Sequence, residues 1–355
     1  MNIQNWFLLA NIFICLVVSA LSFAILVHKK STANIVNASL FIVPTTTLSI
    51  YCGSIWSTSD LISDISFIQF ISPVAFGAVF VIVPLFKQLN LLYRIIITVL
   101  LSGIAVFGLN LPVNIIPDIH SSINQILAVF IWTAVTLGFR ILNKYDGFAI
   151  SENLSVCTGI LALYFIGAAP FVLGFYAAGL AATSLSFMLY NKYPAHIKMS
   201  DSTADLIGFS LGGLMILSSI EKIFSPVLIF SMMFFAELLF ALMQKLTFLP
   251  QYNDIANNTS CAKAINSGMP HTLANNHFLR INAFLIIFGC FQAHSSTPYS
   301  LIMITTIIIA WQMYRLINWQ QDSSSIKQTN KDVMQSIKKG ISTINEKINS
   351  TNEKN

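Results

Sequence analysis

The chain alternates long apolar runs with short polar breaks. Runs near 5 to 27, 34 to 56, 66 to 86, 92 to 110, 122 to 141, 153 to 170, 171 to 190, 203 to 219, 224 to 245, 279 to 294 and 299 to 317 stand out. Each comes close to the roughly twenty residues a helix needs to cross a hydrocarbon core about 30 Å thick. Eleven such runs predict an all-α, polytopic membrane helix bundle, because only helices and closed barrels satisfy their own backbone in lipid. The charge-free stretch from Ser155 to Tyr190 is too long for one crossing. Its expected break is at Gly167 to Pro170, where proline ends a helical hydrogen-bond ladder.

Composition agrees with the pattern. The 355 residues are 55% hydrophobic and 9% charged, against about a quarter charged in soluble domains. The net charge of +5 raises nucleic acid as a partner, but the placement of the cations argues against it. With the amino terminus outside, Lys29, Lys30, Lys87, Arg94, Arg140, Lys144, Lys192, Lys198, Lys245, Lys263, Arg280 and Arg315 fall on the cytosolic side, leaving Lys222 outside. That is the positive-inside distribution, and it predicts an odd number of spans with the carboxyl terminus in the cytosol. The first run lacks a basic leader and a small-residue cleavage site, so it reads as a retained helix. Cys15, Cys52, Cys157, Cys261 and Cys290 show no C-x-x-C spacing. They point to neither a zinc site nor a disulfide framework, and read as small buried apolar residues.

Two parts follow: a membrane body over residues 1–317 and a polar cytosolic tail over 318–355. In the tail, Met334, Ile337, Ile341, Ile344 and Ile348 recur at spacings of three and four, with Lys338, Lys339 and Lys347 around them. This predicts an amphipathic helix, lying on anionic lipid or pairing in a short coiled coil. A homodimer stays open as a partner state. Glu237 lies inside the ninth run, and an intramembrane carboxylate is a functional candidate; the alternative is a neutral or paired group. Asp60 and Asp64, in an outer loop, receive no chemistry.

Between the seventh and eighth runs the chain turns polar. Lys192, Lys198, His196, Asp201 and Asp205 gather in NKYPAHIKMSDSTADLIGF, from Asn191 to Phe209. Asp201, Ser202 and Thr203 sit where a helix would start, and a helix start with free N–H groups suits phosphate. The plainer reading makes Asp201 an N-cap.

Asn191, Pro194, Ala195, Ile197, Met199, Asp201, Gly208 and Phe209 resemble the N-x-x-P-A-x-I-F-M-G-D-x-G-S-x-x-L-G-F segment of the polyprenyl-phosphate N-acetylhexosamine-1-phosphate transferases. Ser200, Thr203 and Ala204 stand where that family has Gly, Gly and Ser. Asn143, Asp146 and Gly147 match its N-x-x-N-x-x-D-G-x-D-G-L-A motif, with Arg140 at its first Asn and Ala149 at its second Asp. His277 fits the last histidine of its H-x-H-H cluster, with Asn275 and Asn276 near the others. The family's adjacent Asp pair is missing. Its positions correspond to about Pro84 and Leu85, and no carboxylate occurs from Ser66 to Pro117.

The resemblance implies transfer of a sugar 1-phosphate from a UDP-sugar to a polyprenyl (undecaprenyl) phosphate. The reaction would run at the cytosolic face of a bacterial plasma membrane, for cell-envelope polysaccharide or peptidoglycan. It implies Asp201 and Asp146 as catalytic and Mg²⁺-binding carboxylates, and Asn143, Asn191, His277 and Arg280 as substrate contacts. The alternative is a non-catalytic descendant that binds lipid or a partner. A transporter ranks below both, since no internal repeat or pair of broken helices is evident.

Overall fold

The structure is a computed structural model and describes residues 3–28, 67–82, 90–247, 255–295 and 299–319. The second apolar run, Asp60, Asp64, Pro84, Leu85 and the amphipathic repeat of the tail lie outside the described residues.

Within them every regular element is helical. In order they are α1 (Ile3–His28), α2 (Phe67–Gly77), α3 (Val79–Ile82), α4 (Leu91–Gly103, prolonged by a π-helical turn, Ile104–Gly108), α5 (Ser121–Leu142), α6 (Phe148–Phe165) and α7 (Phe171–Asn191). Then come α8 (Asp201–Ile220), α9 (Phe224–Phe230), α10 (Met232–Thr247), α11 (Ser260–Asn266), α12 (His271–Ala293) and α13 (Ile302–Ile317).

Among the described residues five helices are long and apolar enough to cross a bilayer: Leu91–Gly108, α5, α6, α7 and α8. A sixth crossing results if α9 and α10, bent by 62° at their junction, count as one span. The chain is therefore a multi-pass helical membrane protein. Length and apolarity qualify fewer spans among the described residues than the eleven read from the sequence.

Boundaries moved where polar residues found buried partners. The expected run from 153 begins instead at Phe148, directly after Gly147, whose φ of +86° closes a left-handed turn. Burial of Phe148, Ala149 and Ile150 draws Ser151, Glu152 and Asn153 into the helix with them. There Ser151 Oγ donates to Gly147 O at 2.6 Å and to Asn275 Oδ1 at 3.2 Å. Asn282 Nδ2 donates to Glu152 Oε2 at 2.8 Å. The same contacts explain why α12 starts at His271 rather than near 279: its face bearing Asn275, Phe278 and Asn282 packs on α6. The break in the long charge-free stretch lies where proline predicted it. Helix α6 ends at Phe165, Gly167 takes φ +79°, and Pro170 caps α7.

Helix α8 is the hub. Its spanning window is wholly buried, held by α5 and α2 and flanked by α7 and α9. A side chain at Gly212 would meet the Trp132 ring at 2.7 Å, and one at Gly208 would meet Phe139 Cβ at 2.7 Å. Small residues at such seams let helices approach closely in lipid. Trp132 Nε1 then donates to Phe209 O at 2.8 Å across the contact. This antiparallel clasp sets the last turn of α5, which carries Arg140, beside the first turn of α8, which carries Asp201.

Glu237 has a local role. Ser260 N–H donates to its Oε2 at 2.7 Å, and Ser260 Oγ donates to Oε1. The carboxylate thus ties the segment after α10 back against the bent helix, in keeping with the paired alternative.

Candidate functional site

The segment between α7 and α8 is fixed by side chains reaching it from the Asp146–Gly147 turn and from the end of α7. Asn191 Oδ1 accepts the Gly147 N–H at 3.1 Å while its Nδ2 donates to Ile197 O at 2.9 Å. Asp146 Oδ2 accepts the Ala195 N–H at 3.2 Å. Asn143 Nδ2 donates to Met199 O at 2.9 Å. Each bond satisfies a backbone group that has no helical or strand partner, as a connecting segment requires. Asn143, Asp146 and Asn191 therefore shape the site whatever else they do.

The cap of α8 is Ser200, whose Oγ accepts the Thr203 N–H at 3.2 Å. Asp201 becomes the first helical residue, and its carboxylate projects outward. Arg140 Nη2 donates to Asp201 Oδ2 at 2.7 Å. The two side chains are 25% and 51% exposed, so the pair is wet and contributes about 0–1 kcal/mol. One turn along the same helix, Asp205 is paired with Arg94 of α4, and those side chains are only 7% and 1% exposed. Asp205 Oδ1 and Arg140 Nη1 are both buried with no hydrogen-bond partner among the described residues.

Arg140 and Asp201, with the side chains that fix the segment, border one cleft of about 720 Å³. Its polar end is lined by Arg140, Asn143, Lys144, Asp146, Asn191, Lys198 and Asp201. Its apolar flank runs over α4, α5 and α10 through Leu91, Ile95, Phe130, Leu137, Leu238 and Leu242. Leu91 and Phe130 are 51% and 70% exposed, so the flank lies at the helix surface that faces lipid in a bundle of this class.

Four sequence-predicted residues, Asn143, Asp146, Asn191 and Asp201, share this cleft, whereas His277 and Arg280 do not line it. Helix phase is the reason. The α12 face toward α6 carries Asn275, Phe278 and Asn282, which leaves Arg280 exposed and His277 half-buried. Burial first, then Arg280 and Arg315, holds the His277 imidazole below its ordinary pKa, so at neutral pH it brings little charge to an anion. Lys198 was singled out in the polar stretch but given no site role, and the pairing role of Arg94 was missed. A lone cation in an otherwise apolar run is the signal for Arg94, because an intramembrane charge needs a partner.

A divalent cation fits this donor set poorly. Among the described residues no three His, Cys, Asp or Glu side chains group to hold a metal. Two carboxylates line the cleft; one already accepts a backbone N–H, and the other carries a guanidinium. Mg²⁺ sites of one or two carboxylates plus substrate phosphates exist, but here Asp201 already shares its charge with the Arg140 guanidinium.

Comparison with known proteins agrees with the residues. Residues 61–219, somewhat under half of the chain, match glycosyl transferase family 4. The phospho-N-acetylmuramoyl-pentapeptide-transferase of Chlamydia muridarum is 32% identical over 88 residues, 24% of this chain and 26% of that protein. The match thus spans about a quarter of that curated relative. The family segment includes both ion pairs and ends with α8. Over residues 61–219 this chain is similar to glycosyl transferase family 4.

Proposed function

We propose that the chain transfers a sugar 1-phosphate from a UDP-sugar to a polyprenyl phosphate. In this reading an oxygen of the lipid phosphate attacks the β-phosphorus of the UDP-sugar. The bond from that phosphorus to the bridging oxygen breaks, and uridine monophosphate leaves. The observation that carries the reading is one cleft with a charged end and an apolar flank. That combination suits a long hydrocarbon bearing a phosphate. The family match over residues 61–219 and the relative's name support the same class of reaction.

Roles follow from the geometry. Asp201 and Asp146 are the carboxylates available to take the proton of an acceptor phosphate that arrives as a monoanion. Asn143 and Asn191 hold the segment that carries them. The polar end of the cleft faces the cytosol if the cations obey the positive-inside rule, which is where a UDP-sugar would be met.

The test is release of uridine monophosphate from UDP-N-acetylglucosamine by the purified chain with undecaprenyl phosphate. Release by the wild type, lowered about a hundredfold in Asp201→Asn, is the expected result for loss of a proton acceptor. Equal turnover in both removes the role of Asp201. No release and no nucleotide binding by either favours the non-catalytic, lipid-binding reading.

A further inference from the structure

The transferase reading leaves open what neutralises the phosphates. We propose that the Arg140 guanidinium, rather than a carboxylate-held divalent cation, receives a substrate phosphate or diphosphate, with Asp201 as the counter-ion it exchanges. The inference rests on the reading above and concerns the same cleft.

The charge lining the cleft is the first argument. Among the described residues Arg140, Lys144 and Lys198 share the polar lining with two carboxylates, Asp146 and Asp201. Asp205 is paired with Arg94 beneath, so that pair adds no net charge, although Asp205 also feels the Arg140 guanidinium. Guanidinium and ammonium groups set beside the carboxylates attract a phosphate and weaken the pull on a dication.

The second argument is the state of Arg140 itself. It bonds Asp201 through Nη2, while Nη1 is buried without a partner among the described residues. A guanidinium is built for two parallel bonds to a phosphate, and half of this one is unspent. Its other half is held by a carboxylate that is half exposed, a contact weak enough to be traded for a ligand. The first turn of α8, whose dipole favours an anion at this end, lies next to it. The sequence supplies the third argument. Arg140 stands where the resembled motif has Asn, in a chain that also lacks that motif's second Asp and the separate Asp pair.

Two ligands carry the shared chemistry, the diphosphate of a UDP-sugar and the phosphate of the lipid. Purified full chain in nanodiscs is titrated with UDP-N-acetylglucosamine and, separately, undecaprenyl phosphate, in EDTA and in MgCl₂. The wild type is expected to bind with affinities within about twofold of each other in the two conditions, whereas Arg140→Asn weakens binding by about tenfold or more, as loss of a charge-assisted bond does. Weakening for one ligand alone assigns Arg140 to the donor or to the acceptor. Asp201→Asn is expected to keep or tighten affinity, because it frees the guanidinium; a metal ligand would show the reverse.

Wild-type binding that is lost in EDTA and restored by Mg²⁺ overturns the proposal, as does Asp201→Asn losing affinity as Arg140→Asn does. If Arg140→Asn fails to fold, Arg140→Lys and the EDTA comparison decide. Absence of binding by wild type in both conditions removes the transferase reading itself, a result distinct from Mg²⁺-dependent binding.

Discussion

Asp201 and Asp205 are the same residue type, one turn apart on one helix, each paired with an arginine from a neighbouring helix. Their surroundings give them different tasks. The Arg94–Asp205 pair is sealed between α4 and α8, where removing one partner strands a buried charge. The Arg140–Asp201 pair stands in the mouth of the cleft, where water or a ligand can replace either partner. Exposure, more than residue identity, separates the brace from the working pair.

The largest effect is expected where the brace is cut. Asp205→Ala removes the buried carboxylate that pairs with Arg94 and should destabilise the protein by about 3–5 kcal/mol, whereas Asp201→Ala should cost at most about 1 kcal/mol. Thermal unfolding in one detergent compares the two, and equal losses would erase the distinction. Next comes activity. Asp201→Asn should lower turnover about a hundredfold while ligand affinity holds, a split that separates chemistry from binding.

Smaller effects sharpen the edges of the site. Asn143→Ala removes the bond to Met199 O and should cost about 1 kcal/mol, with a looser segment before α8 visible as faster amide exchange. Arg280→Ala, exposed on α12 and away from the cleft, should change stability by less than about 0.5 kcal/mol. A loss of ligand affinity there would extend the site beyond its present borders.

Much of the frame was legible because it rests on local signals. Apolar runs placed α5, α7 and α8 within a few residues, and Pro170 marked a break before a helix. The start of α8 was legible too, although the cap proved to be Ser200. What stayed hidden depends on partners far apart in the chain. Arg94 and Asp205 are 111 positions apart, and Glu237 meets Ser260 only because the segment after α10 folds back. His277 and Arg280 were drawn to the site by order along the chain, but the rotation of α12 is set by the buried Asn275, Phe278 and Asn282, and spacing alone did not reveal it. The Asn143, Asp146 and Asn191 contacts were flagged as ligand groups. Their bonds to the segment backbone could not be read without the turn geometry around Gly147.

The location of the site can be measured without relying on turnover. Single cysteines are introduced at Lys198, which lines the cleft, and at Asn276, exposed on α12 outside it. Alkylation rates are recorded with and without UDP-N-acetylglucosamine, against the wild type's own thiols. The account predicts that the nucleotide sugar slows alkylation at Lys198→Cys and leaves Asn276→Cys unchanged. Unchanged rates at both positions, or protection at Asn276→Cys alone, would contradict it.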